Sequence, residues 1–244
     1  MSGPRPDVVA VVIPVHNEVE LLDRCLAALD RAVVAAAERG IRCVVSIVLD
    51  ECTDGSAAVA AAHPFPCSTI AASCVGAARA HGVAGALATI GATSAERVWI
   101  ACSDADSAVP ENWIILQHDL AAQGADVFVG TVRPDFADLD GPHQRLWLST
   151  HRRGMANGHV HGASLGIRAS TYVAAGGFAP ADEHEDVDLV ARCRQLGATV
   201  RASDDAEVLT SGRFVGRTPG GYARFLRTQA EALRTENALG ELAS

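Results

Sequence analysis

The chain has 244 residues, 49% of them apolar, enough for one large α/β domain around a continuous buried core. A formal charge of -9 without a long basic block leaves no electrostatic footprint for a polyanion, so nucleic acid is not an expected partner. All 20 basic residues are arginine, which removes Schiff-base chemistry, a lysine general base and a phosphate-loop lysine.

Val8 to Val15 is a β-branched run ended by Pro14 and polar residues, the pattern of a strand. Glu18 to Arg39 carries Leu21, Leu22, Leu26, Leu29 and Val33 at helical spacing, and Gly40 stops that helix. A second strand is expected over Ile41 to Leu49, followed by a helix capped by Asp54 that runs toward His63. A weaker strand near Cys67 to Ala71 precedes a helix from Val75 to Ile90. Val98 to Cys102 leads as a fourth strand into Ser103-Asp104-Ala105-Asp106. Pro110 then opens a helix reaching Gln123, and Asp126 to Thr131 gives a fifth strand. Apolar strands alternating with helices predict an α/β fold with a mostly parallel sheet covered on both faces. After Arg133 the alternation fades into mixed helices and short strands.

In such sheets the ligand lies beyond the carboxyl ends of the strands. His16-Asn17-Glu18, Asp50 to Asp54 and Asp104 to Asp106 all follow strand ends and should converge on one crevice. Asp104 and Asp106, alternate residues leaving a strand tip, have the spacing to aim two carboxylates at one hard cation, although the same pattern is common in exposed loops. Glu185-Asp186-Val187-Asp188 opens a probable-helix pattern after Gly176-Gly177-Phe178. Acids there suit the helix dipole, and one of them equally suits a carboxylate base.

Taken together and in order, these segments resemble the family-2 glycosyltransferases of GT-A fold, in their soluble, inverting, bacterial form. The resemblance runs from Val8 to Arg217. It rests on Val12-Ile13-Pro14-Val15-His16-Asn17-Glu18, on Leu49-Asp50-Glu51-Cys52-Thr53-Asp54-Gly55-Ser56, and on Gly76-Ala77-Ala78-Arg79-Ala80-His81-Gly82. Ser103-Asp104-Ala105-Asp106-Ser107 resembles the family's metal motif, and Gly176-Gly177-Phe178 with Glu185-Asp186 its acceptor-side motif. The resemblance implies a single GT-A domain over 1–244: a nucleotide-sugar half at 8–131, an acceptor and catalytic-base half at 132–217, and a C-terminal helix at 218–244.

It also implies roles. Pro14, His16 and Glu18 line the nucleoside pocket, and Asp50 bonds the base. Arg79 and Asp104 stand near the donor, Asp106 holds a divalent metal (Mn2+ or Mg2+), and Asp186 is the general base for in-line attack with inversion. Glu185, Arg213 and Arg217 are further candidates for diphosphate or acceptor contacts, the two arginines from a late loop. The expected reaction moves one sugar, a UDP-hexose in the working reading, to a hydroxyl of a small-molecule or lipid-like acceptor. Here the acidic loop reads Leu49-Asp50-Glu51, where the family usually has paired aspartates and then glycine. The Gln-x-x-Arg-Trp motif of processive synthases is absent.

His143, His151, His159 and His161 lack helical zinc-pair spacing, whereas His161-Gly162-Ala163-Ser164 suits an acceptor pocket, and Trp113 and Trp147 read as packing residues. The seven cysteines lie mostly in apolar runs without Cys-x-x-Cys spacing, as buried thiols of a reducing compartment do. With no signal-peptide pattern and no run near the roughly 20 apolar residues of a membrane span, the expected location is the cytoplasm, with peripheral membrane contact left open. Two alternatives stand beside the enzyme: a non-catalytic nucleotide-sugar binding module and, less well matched, a sugar nucleotidyltransferase. A phosphatase with an Asp-x-Asp nucleophile needs a lysine that this chain does not have.

Overall fold

All eight residues of strand β1 (Val8–Val15) are buried, because both faces of this strand are covered. Val9, Val11, Ile13 and Val15 join one hydrophobic core, while Val8, Ala10 and Val12 join another on the opposite face. This is the two-residue alternation of a strand read against two apolar layers rather than one. The computed structural model describes residues 3–156, 158–216 and 221–242, with side chains to residue 233.

Helix α1 (Leu22–Glu38), β2 (Arg42–Asp50), α2 (Ser56–Ala61), β3 (Cys67–Ile70), α3 (Val75–Ile90), β4 (Val98–Cys102), α4 (Trp113–Ala122) and β5 (Val127–Pro134) follow in order. The second half adds α5 (Gly141–Thr150), β6 (Leu165–Arg168), α6 (Ala169–Ala174), α7 (Glu185–Gln195), β7 (Val200–Thr210) and α8 (Tyr222–Leu242). The sheet order is β3-β2-β1-β4-β6-β5-β7, with β6 antiparallel to both of its neighbours and the other pairs parallel. Helices α1, α2 and α4 cover one face, and α3, α6 and α7 cover the other.

The expected elements of the first half are present, with shifted starts. Helix α1 begins at Leu22 rather than Glu18, because the backbone N–H of Glu18 donates to Ser56 Oγ at 2.9 Å and that of Val19 to Asp54 Oδ2 at 3.1 Å. Helix α4 starts at Trp113, after the turn that Pro110 opens. Asp54 does serve the start of α2, accepting the Ser56 N–H at 2.9 Å.

One sheet also continues through the half where alternation fades. Strand β7 carries Arg201, Asp204, Asp205 and Glu207 because it is an edge strand, only partly covered over its first half, so no apolar alternation marks it. Outside the sheet, α5 and α8 share a small third core of Leu139, Trp147 and Leu226.

Candidate functional site

The tips of β1, β2, β4 and β7 open on one cavity of about 710 Å³. Because β6 runs the opposite way, its beginning faces the same cavity, and the turn Gly162–Ser164 before it lies in the wall beside His161. Pro14, His16, Glu18, Asp50, Arg79, Asp104, Asp106, Glu185, Asp186 and Arg213 all line this space. Arg217 lies outside the described residues.

On the β1–β2 side the polar groups mostly hold loops. His16 Nδ1 donates to the carbonyl of Asp50 at 2.7 Å, and Asn17 Nδ2 donates to His16 Nε2 at 3.3 Å, which fixes the tautomer. Asn17 has φ 53°, and its Oδ1 accepts the N–H groups of Thr53 and Asp54. Asp50 is 2% exposed, and its carboxylate accepts N–H groups of Ala72, Ser73 and Cys74 at 2.7, 2.9 and 2.8 Å. A buried carboxylate satisfied in this way fixes the β3–α3 loop, and any base contact would have to use its remaining lone pairs.

Asp104 and Asp106 leave β4 on a loop tied to β7 by two backbone bonds between Ala108 and Leu209, at 2.7 and 3.1 Å. Asp106 Oδ1 accepts the Ser107 hydroxyl at 3.1 Å, and Ser107 Oγ in turn accepts from the Thr210 hydroxyl at 2.8 Å. Arg213, just beyond β7, makes a bidentate pair with Glu18 at 2.8 and 2.5 Å and reaches Asp106 Oδ2 at 3.0 Å. Burial, and next the charge of Asp104, push the Asp106 carboxyl up to about 6, with Arg213 opposing them. Among the described residues no three His, Cys, Asp or Glu side chains converge as a metal-ligand set.

Arg79 joins the two walls. Projecting from α3 and 2% exposed, it donates to Glu185 Oε1 at 2.9 Å and to Asp104 Oδ1 at 2.5 Å, and reaches the carbonyls of Ser103 and Gly162 at 3.4 Å. Burial works against its charge, but Asp104 and Glu185 outweigh it and hold the guanidinium ionised. Gly162 is required by this packing, since a Cβ there would lie 2.2 Å from Arg79 Nη2. Gly76 serves the same wall: its N–H donates to Ala181 at 3.1 Å, and a Cβ would meet the carbonyl of Ala179 at 2.1 Å. The acidic start of α7 is thereby seated against α3.

Asp186, next to the buried Glu185, has its carboxyl raised above the usual range by burial and then by the Glu185 charge. His161, in the same lining, is held down to about 4 by burial and by His159, so it is neutral at pH 7. Trp113 and Trp147 are packing residues, at 0% and 2% exposure. Trp147 stacks on His151 with centroids 3.9 Å apart and donates to the Tyr222 hydroxyl at 2.9 Å. Sequence reasoning missed Tyr222, Phe225 and Thr210 in the lining. Of these only Thr210 had a usable signal, its place at a strand end, and that strand itself was not legible.

A parallel sheet with one reversed strand and acidic loops at its tips defines a GT-A type of nucleotide-sugar fold, and solved structures share it. S. aureus TarS, residues 1–349 in complex with UDP-GlcNAc, aligns with a TM-score of 0.66 at 12% identity, over 88% of this chain and 61% of that one. The mannosyltransferase PcManGT from Pyrobaculum calidifontis, in complex with GDP-Man and Mn2+, gives 0.62 at 21% identity, over 95% and 65%. Glucosyl-3-phosphoglycerate synthase from Mycobacterium tuberculosis, with Mn2+, UDP-Glc and phosphoglyceric acid, gives 0.52 at 13%, over 81% and 69%. The chain thus spans about three fifths of the length of the TarS fragment. No curated protein matches it in sequence. The family model "Glycosyl transferase family 2" matches residues 10–171, and the chain belongs to that family.

Proposed function

We propose that this protein is an inverting glycosyltransferase that moves one hexose from a nucleoside-diphosphate sugar, UDP-linked in the working reading, to an acceptor hydroxyl. The observation that carries the reading is the meeting of Glu18, Asp50, Asp104 and Asp106 with Glu185 and Asp186 around one cavity, in a chain of this family. The donor half is 8–131, the acceptor and base half 132–217 and the C-terminal segment 218–244, which holds helix α8 over Tyr222–Leu242, all within one GT-A domain.

Asp186 is the proposed base. It takes the proton of the acceptor hydroxyl as that oxygen forms a bond to the anomeric carbon and the bond from that carbon to the diphosphate oxygen breaks. One displacement inverts the centre. A proton affinity raised by burial and by the Glu185 charge makes the Asp186 carboxylate a stronger base. Pro14 and His16 flank the nucleoside, and Arg79 holds Asp104 toward the donor. Glu185 and Arg213 stay candidates for acceptor and diphosphate contacts, and so does Arg217.

A divalent cation fits the Asp104–Asp106 loop. The half-buried Asp106 carboxyl is pushed up by desolvation and by Asp104, so a cation there, in the place Arg213 holds at 3.0 Å, would relieve two adjacent charges, and hard carboxylate oxygens suit Mn2+ or Mg2+. Asp106, with Asp104, would hold it, and it would supply charge neutralisation for the departing diphosphate. The acceptor is a small-molecule or lipid-like alcohol.

Calorimetric titration of UDP and GDP with and without Mn2+, on the parent protein and on Asp106→Ala, tests the donor half. Metal-dependent UDP binding that the variant loses is the expected result. Binding of neither nucleotide under any metal condition would overturn the proposal in favour of a module without nucleotide-sugar chemistry.

A further inference from the structure

The arginines are unevenly placed. Residues 141–156 contain Arg145, Arg152 and Arg153 and no acid, and residues 221–233 contain Arg224 and Arg227 against the single acid Glu231, in a chain whose net charge is -9. These two segments are α5 with its following loop and the first turns of α8, and the two helices pack on each other. The -9 of the whole chain therefore conceals an excess of arginine on these two segments; the acids beside them, Asp204 and Glu207 of β7, are engaged, Asp204 with the Gly154 N–H and Glu207 with Arg133.

This face is also apolar. Leu148 is 53% exposed and Met155 66%, and both line a second cavity of about 410 Å³ together with Arg152 and Arg153. Arg152 and Arg153 make no ion pair among the described residues. His151 lines this second cavity and the main one alike, so the two lie side by side with His151 in the wall between them. Phe225 of α8, 41% exposed, stands at the main cavity's edge.

We infer that this face docks on the surface of an anionic lipid bilayer, with Arg152 and Arg153 at the headgroups and Leu148 and Met155 entering the boundary below them. Charge complementarity selects the bilayer's sign, and exposed apolar side chains beside unpaired arginines fit a lipid interface better than a nucleic-acid backbone, which offers nothing for Leu148 and Met155 to bury in. Because His151 is common to both cavities, docking on this face sets the main cavity, with Asp186 in its lining, beside the bilayer in which an acceptor would be embedded. That last step rests on the proposed function, whereas docking itself does not.

The test is co-sedimentation of the full chain with vesicles of phosphatidylcholine alone and of phosphatidylcholine with phosphatidylglycerol, at low and at physiological salt. A duplex oligonucleotide serves as the alternative polyanion, and calorimetric UDP binding is measured in parallel. Binding to the phosphatidylglycerol vesicles alone, weakening with salt, is expected. Each arginine at an anionic surface strengthens association roughly fivefold, so Arg152→Gln with Arg153→Gln should weaken binding about twenty-five-fold while leaving UDP binding unchanged. Met155→Ser, at an exposed position, should weaken vesicle binding by roughly threefold or more through lost burial. Failure to bind phosphatidylglycerol vesicles at low salt, binding that the variants do not alter, or preference for the oligonucleotide would each overturn the inference. Absent UDP binding with intact vesicle binding would instead count against the proposed function.

Discussion

Asp186 and His161 line the same cavity with proton affinities moved in opposite directions, one carboxyl raised and one imidazole lowered. The base works only when ionised, so the transfer rate should rise with pH through a value above the ordinary carboxylate range and level off beyond it. Asp186→Asn should lower turnover about a thousandfold while calorimetric UDP binding persists. A variant with full turnover would remove Asp186 from the mechanism. For His161 the sign is that of a depressed imidazole. The neutral folded form contributes stability above pH 6.5, and that stability is lost as pH falls toward the folded value of about 4, because the unfolded chain takes up the proton first. His161→Gln should therefore flatten the acid limb of a plot of unfolding free energy against pH between 6.5 and 4. The expected difference is about 2 kcal/mol, allowing for the partial exposure of the ring. Parallel acid limbs for the two proteins would show that another group governs acid stability.

The side-chain ion pair between helix α3 and the start of α7 is made by the buried Arg79, which holds Glu185 and Asp104 at once. Arg79→Met keeps the volume but leaves Glu185, 4% exposed, as a buried charge without its partner. Breaking such a pair from one side costs about 3–5 kcal/mol, which urea unfolding would read as a lower midpoint with an unchanged slope. The further substitution Glu185→Gln should recover part of the loss, and no recovery would mean that Arg79 acts through packing alone. The sequence made these residues legible only by type and order. An arginine on an apolar helix and an acid at a helix start are both visible, but their pairing across 106 positions is set by how α3 packs on the sheet. Strand β1 was fully legible because burial on both faces leaves an unbroken apolar run, whereas β7 was not, because an edge strand carries charges and shows no such run. The Arg213 pairs with Glu18 and Asp106 likewise depend on that unseen strand for their position.

At the scale of the molecule, two large cores sandwich the sheet, while α5 and α8 rest on a third core of only Leu139, Trp147 and Leu226 with partly buried neighbours. A unit with so little buried apolar surface should open at a lower free energy than the sheet it borders. That difference matters for function, because Tyr222 and Phe225 of α8 line the cavity, so opening this unit changes the wall of the site without disturbing the strand tips that carry the acids. Leu226, fully buried, is the residue through which α8 is held. Leu226→Ala should cost this unit about 2–4 kcal/mol. Native-state hydrogen exchange should then show amides of α5 and the first turns of α8 exchanging about thirtyfold faster or more, with the protection of β1 and β4 unchanged. Equal loss of protection in β1 and β4 would mean that the third core is cooperative with the other two, and that the cavity wall opens only when the whole molecule unfolds.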